Sequence, residues 1–195
     1  MNRQLKLSLA GLSLNVAFAS YHLVAGLVAS SWWLLTLGSY YFVLSVVRFV
    51  VLCAKSKERF VARFAGWMLI LLSIPLVGTV ILSVVKERGH SLPMVVMIAM
   101  AAYAFTKMTL ATVKLINFRH SKDAALMTLR NISFADAFVS IFALQRSMLV
   151  SFEGMSKEEI VIMNAALGSV VCVIVFLLGV NLLRSKRILF DGLKK

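Results

Sequence analysis

Ile132-Ser133-Phe134-Ala135-Asp136-Ala137-Phe138-Val139-Ser140 opens a mostly apolar run that continues to Val150. The run is long enough to cross a bilayer as one helix. Asp136 is the only acidic residue inside any such run of this chain. An ionised group costs about 2.5–3.5 kcal/mol at the centre of a membrane helix on insertion scales. Such an acid therefore faces a protein interior or a wet cavity and has a partner. A lone lipid-facing helix offers neither, so the stretch predicts a bundle of membrane helices with its chemistry near Asp136.

Composition extends that reading to the whole chain. Of 195 residues, 61% are hydrophobic and 15% charged, and the mean hydropathy is +0.91. A water-soluble domain of this size could not hide so much apolar surface in one core. A window of about 19 residues finds apolar stretches at Leu9 to Val28, Trp32 to Ala54, Phe64 to Val85, Met94 to Asn117, Ile132 to Val150 and Ile160 to Leu183. The expected fold is all-α: a polytopic six-helix bundle filling residues 1–195 as a single transmembrane domain, with no separate soluble domain. A cleaved signal peptide competes for the first stretch, but the apolar part outruns an h-region and leads almost directly into Trp32, so an uncleaved helix is expected.

Orientation is read from the cations. Arg3 and Lys6 precede span one; Lys55, Lys57, Arg59 and Arg63 lie between spans two and three. Lys114, Arg119, Lys122 and Arg130 lie at the end of span four or before span five, and Arg184, Lys186, Arg187, Lys194 and Lys195 close the chain. Only Lys86, Arg88, Lys157 and Arg146 fall to the other side. The positive-inside rule then places both termini in the cytoplasm, and the location expected is a bacterial-type inner membrane. Topology and anionic lipid contact account for the formal charge of +13. Nucleic acid is excluded as a partner because the basic residues are scattered, with no aromatic platform.

Other chemistries find no footing. Cys53 and Cys172 fall in spans two and six with no Cys-x-x-Cys spacing, and read as buried, inert thiols. The glycines form no phosphate-binding loop, and no Ser-His, His-Glu-x-x-His or paired-Asp arrangement points to an enzyme. No cofactor is expected.

The segment from Arg130 to Ser140 resembles the fifth transmembrane helix of cation diffusion facilitators, the proton-coupled zinc and manganese exporters. That helix carries His or Asp, then Asp and then Ser at intervals of four; Asp136 and Ser140 match the last two positions, and Ile132 replaces the first ligand. In the first two spans Asn15, His22, Gly26, Ser30, Ser31 and Leu34 fall at similar spacings, while Tyr40 and Leu44 replace the two remaining ligands. The resemblance implies that family's six-helix layout with spans two and five facing each other. Of its four metal ligands only Asp136 has a counterpart here, and that family's cytoplasmic C-terminal domain is not expected.

Zinc takes about four N, S or O ligands, and Tyr40, Leu44 and Ile132 are not usual donors. His90 and His120 fall in loops, and His22 supplies at most one imidazole. No metal site is expected. Arg48 and Asp136 instead fall at similar depth, roughly 6–9 Å from the cytoplasmic side at 1.5 Å rise per residue, which predicts an ion pair. The pair reads either as a gate or substrate-responsive site, or as a static staple standing where the metal was. Arg48 snorkelling to the headgroups is the further alternative.

Span two carries Leu37, Tyr40, Tyr41, Leu44 and Arg48 on one stripe. The two tyrosines line a polar cavity on one reading and anchor at the interface on another. Lys107 falls near mid-bilayer, too deep to snorkel, and is expected to point inward as a second counter-ion for Asp136. That leaves a net positive core suited to an anionic or zwitterionic solute, or to none. The expected pathway is Tyr40, Tyr41, Arg48, Lys107 and Asp136, with His22, Ser133, Ser140 and Asn164 as polar lining. Trp32, Trp33 and Trp67 are expected at the interfaces, and Gly26, Gly168 and Gly179 at close helix contacts. Asn15, Asn164 and Asn181 read as glue between helices or as polar lining.

Two functions follow. One is a secondary transporter of a small ion or solute. The other is a pseudo-transporter that scaffolds a membrane partner or forms a homodimer. A polar cavity open to one side favours the first, and a dry core with Arg48 and Asp136 locked together favours the second.

Overall fold

The computed structural model describes residues 3–54, 58–85, 94–117, 124–151 and 155–184. His90 and His120, and most of the basic connections, lie outside them. The described residues form α1 (Arg3–Val28), α2 (Trp32–Cys53), α3 (Glu58–Val85), α4 (Met94–Asn117), α5 (Ala124–Ser151) and α6 (Lys157–Arg184). All six are long and apolar enough to cross a membrane, and no strand occurs among the described residues. In hydrocarbon every backbone N–H and C=O must be satisfied within the protein, and a helix does this along its own axis.

Four helices start earlier than hydropathy indicates, α1 at Arg3, α3 at Glu58, α5 at Ala124 and α6 at Lys157. Hydropathy finds the part of a helix that lipid covers. The turns before it carry Arg130 and Asn131 in α5, polar residues compatible with helix but invisible to an apolar window.

The tight α1–α2 connection closes as a Schellman motif. Ser31 N–H donates to Gly26 C=O at 3.0 Å and Ser30 N–H to Leu27 C=O at 3.4 Å. Ser30 takes φ 48° there, the left-handed conformation usually given to glycine. The start of α6 is a capping box: Ser156 N–H donates to Glu159 Oε2 at 2.9 Å, and Glu159 N–H donates back to Ser156 Oγ at 3.3 Å.

The helices pack chiefly as α1 with α2, α3 with α6 and α4 with α5. α5 also meets α2, α3 and α6, and is the most buried of the six. Small residues set the closest approach. A Cβ on Gly179 would lie 3.0 Å from Gly66 O, so α3 and α6 touch backbone to backbone there.

Three expectations need correction. Asn181 is exposed: the buried stripe of α6 runs through Asn164, Gly168, Val171, Cys172, Val175, Gly179 and Leu182, and residue 181 falls off it. Cys53 is exposed because the buried stripe of α2 ends at Val51, whereas Cys172 is buried. Trp32 and Trp67 face outward, but Trp33 turns in beneath the Arg146 guanidinium, 4.9 Å from the ring centroid.

Candidate functional site

Four helices bring polar side chains to one place inside the bundle. α2 presents Leu37, Tyr40, Tyr41, Leu44 and Arg48 inward, all buried. α4 contributes Met100, Tyr103, Ala104, Lys107, Ala111 and Lys114, spaced as one helical stripe. α5 contributes Ser133, Asp136 and Ser140 from successive turns, and α1 brings Gly11, Asn15 and His22.

Asp136 is at the centre with 0% exposure. Its Oδ2 accepts from Arg48 Nη2 at 3.2 Å and from Lys107 Nζ, while Oδ1 has no hydrogen-bond partner among the described residues. Arg48 therefore does not snorkel; it is 1% exposed and locked against α5.

A second cation pair forms one turn away. Ser133 Oγ accepts from Lys114 Nζ at 2.8 Å and from Arg48 Nη2 at 3.3 Å, and donates to Leu129 C=O at 2.7 Å. Gly11 of α1 lies directly against Arg48: a Cβ there would collide with Nη1 and sit 3.4 Å from Lys114 Nζ. Arg48 Nε has no acceptor among the described residues.

An aromatic layer covers the charged centre. Ser140 Oγ donates to the Asp136 carbonyl at 2.7 Å, so Tyr41 is the donor in its 3.0 Å bond to Ser140. Tyr103 stacks on Phe18 with an interplanar angle of 7°, holds Lys107 Nζ 5.0 Å from its ring centroid and donates to Asn15 Oδ1 at 3.4 Å. A lysine over a tyrosine face gains a cation–π attraction. His22 donates from Nδ1 to Phe18 C=O at 2.9 Å, leaving Nε2 without a partner. Tyr40 is buried on the same stripe with an unpartnered hydroxyl. Neither Tyr40 nor Tyr41 is an interface anchor, and neither lines an open cavity, because both are enclosed by packed neighbours.

Arg48, Lys107, Asp136, Ser133, Tyr41 and Ser140 are thus brought together, with His22 beside them. Asn164 is buried on α6 with Oδ1 unpartnered, and no hydrogen bond joins it to the cluster.

Lys114 is the residue that sequence reasoning missed. It was counted among the cytoplasmic topology charges, yet it is 1% exposed. Its position seven residues after Lys107 was the available signal, since that spacing returns to the same helix face. Tyr103 and Gly11 carried no comparable mark, whereas Asn15, read as glue between helices or as polar lining, accepts from Tyr103. Arg146, assigned to the opposite side of the membrane, is buried over Trp33 with Nη1 unpartnered.

The buried charged side chains among the described residues are therefore four cations and one carboxylate. No group of three or more His, Cys, Asp or Glu side chains comes together among those residues. A divalent cation would meet one carboxylate already shared by two cations. A groove of about 380 Å³ between α1 and α2, lined by Val16, Leu23, Phe42 and Phe49, is apolar and carries none of the cluster's charged residues.

The fold and this cluster define a multi-pass six-helix membrane bundle with a cation-rich polar centre. Comparison with known proteins returned no matching family model, curated protein or solved structure.

Proposed function

We propose that this chain is a secondary transporter of the inner membrane, with both termini cytoplasmic, whose solute site is the cluster of Arg48, Lys107, Lys114 and Asp136. It keeps the layout implied by the resemblance to cation diffusion facilitators and departs from them in cargo.

The observation that carries the reading is the sharing of one carboxylate. Asp136 Oδ2 pairs with Arg48 on α2 and with Lys107 on α4. A static staple needs one cation; two on different helices give alternative pairings. α5 remains held to one neighbour while it separates from the other, which is the two-state element that alternating access requires. Intramembrane charges of this kind mark transport pathways. The closed packing around the cluster is then the occluded state.

The same closed packing favours the second reading, a non-transporting partner that scaffolds another membrane protein. Flux separates the two. Purified protein in proteoliposomes is offered inorganic anions, carboxylates, zwitterionic amino acids and divalent cations, with internal pH followed by dye. The transporter reading expects solute-dependent flux that Asp136→Asn abolishes, and that a charge-balanced Asp136→Asn/Lys107→Met protein of verified fold also lacks. No flux for any solute, with the protein folded, turns the conclusion to the scaffold.

A further inference from the structure

The formal charges of the cluster do not close. Arg48, Lys107 and Lys114 are each at most 3% exposed, and among the described residues Asp136 is the only carboxylate beside them. Lys114 rests on a neutral hydroxyl, Ser133 Oγ, and has no carboxylate partner among the described residues. An ion taken from water without a counter-ion loses solvation that nothing replaces, so cations in protein interiors have an anion with them. Among the described residues the anion is missing on one particular side of the cluster, at Lys114 and Arg48.

That side is built to receive one. Arg48 Nε lacks an acceptor, the Lys114 ammonium and the Ser133 hydroxyl are adjacent, and Gly11 presents no side chain where a Cβ would strike the guanidinium. A guanidinium offers planar, forked donors that match a carboxylate or phosphate and suit a spherical ion less well.

We infer that Arg48, Lys114 and Ser133, where Gly11 lets α1 close directly against the guanidinium, form a binding site for an oxyanion of the phosphate or carboxylate class. The inference rests on reading the cluster as a solute site, and it names the substrate class. Lys114 is one turn from the last residue of α4, and Arg48 lies five residues before the end of α2, so the anion enters from that end of the bundle. The next buried cation along α5 is Arg146, ten residues beyond Asp136 or about 15 Å along a helix, with an unpartnered Nη1 of its own. It gives the anion a second foothold toward the other end.

An oxyanion at this depth has two sources, a free solute or the phosphate of a lipid headgroup. The test therefore uses nanodiscs of phosphatidylcholine alone and nanodiscs containing phosphatidylglycerol. Binding of labelled inorganic phosphate and labelled succinate is measured in the first, and retention of phosphatidylglycerol through delipidation in the second. The expected result is saturable binding of phosphate or succinate in phosphatidylcholine discs, weakened at least tenfold by Lys114→Met and restored by Lys114→Arg. Retention of phosphatidylglycerol, lost in Lys114→Met, upholds the oxyanion site with lipid as its source.

Lys114→Met removes a buried cation that has no carboxylate, so the empty variant is expected to melt no lower than the wild type. Loss of binding then cannot be loss of fold. Wild type that retains neither oxyanion nor anionic lipid, or a Lys114→Met protein that binds as wild type does, overturns the inference. Flux of a divalent cation or a zwitterion without oxyanion binding overturns it and leaves transport standing; oxyanion binding without flux does the reverse.

Discussion

The Lys114 ammonium donates to Ser133 Oγ at 2.8 Å, and that hydroxyl donates its own hydrogen bond to the Leu129 carbonyl. A formal positive charge thus ends on a neutral, fully used hydroxyl inside a membrane bundle. Hydrogen bonds from a charged group contribute about 1.5–3 kcal/mol, less than the several kcal/mol lost on desolvating an ion. Replacing Lys114 by methionine is expected to raise stability by about 1–3 kcal/mol. Thermal unfolding in detergent without added anions measures it. A Lys114→Met protein that melts well below wild type would mean that the bond to Ser133 outweighs the burial.

The shared carboxylate makes the opposite prediction. Asp136 holds both Arg48 and Lys107, and its removal leaves their charges without an anion. Asp136→Asn is expected to destabilise by about 3–5 kcal/mol. Lys107→Met costs less, because Arg48 still satisfies Asp136. In the double variant the effects do not add: deleting Lys107 from the Asp136→Asn background recovers about 1–3 kcal/mol. Denaturant unfolding of the four proteins closes the cycle, and additive effects within about 0.5 kcal/mol would show that the two residues do not interact.

At the α1–α2 turn, Ser30 occupies the left-handed position of a Schellman motif with φ 48°. A Cβ is unfavourable in that conformation. Ser30→Gly is expected to stabilise by about 0.5–1 kcal/mol. At α6, Ser156→Ala removes both bonds of the Ser156 hydroxyl with Glu159, leaves the backbone arm of the capping box and is expected to cost about 1 kcal/mol. Thermal shifts of opposite sign in the two variants check both.

The class of fold was legible because hydrocarbon imposes one requirement, an unbroken apolar run, and a window detects it. Asp136, Arg48 and Lys107 were legible for the converse reason, since a charge inside such a run needs a partner. Lys114 was hidden by proximity to the end of its helix, where a cation facing inward and one reaching the headgroups look alike in sequence. Its spacing from Lys107 carried the information, but the direction of the α4 stripe was set by packing against α5. Gly11 was illegible for a different reason: its role is the absence of a Cβ opposite a guanidinium brought from another helix, a relation that exists only once α1 and α2 are docked. Asn181 failed in the reverse sense, a polar residue in an apolar run that packing leaves on the outer face.

Gly11 yields the prediction that separates geometry from charge. A Cβ at this position would overlap Arg48 Nη1 and approach Lys114 Nζ to 3.4 Å. The obstructed atom is the end of a flexible side chain, so the guanidinium is expected to shift while the helices stay docked, at about 1–3 kcal/mol. No charge changes in Gly11→Ala, yet the guanidinium is pushed from its place beside Lys114 and Ser133. Oxyanion affinity is therefore expected to fall at least tenfold while the protein stays folded. If the anion were drawn only by the summed positive charge of the bundle, the substitution would leave affinity unchanged, because every cation is retained. Binding isotherms of labelled phosphate and succinate to wild type and Gly11→Ala, at matched ionic strength, decide between a shaped site and a diffuse field.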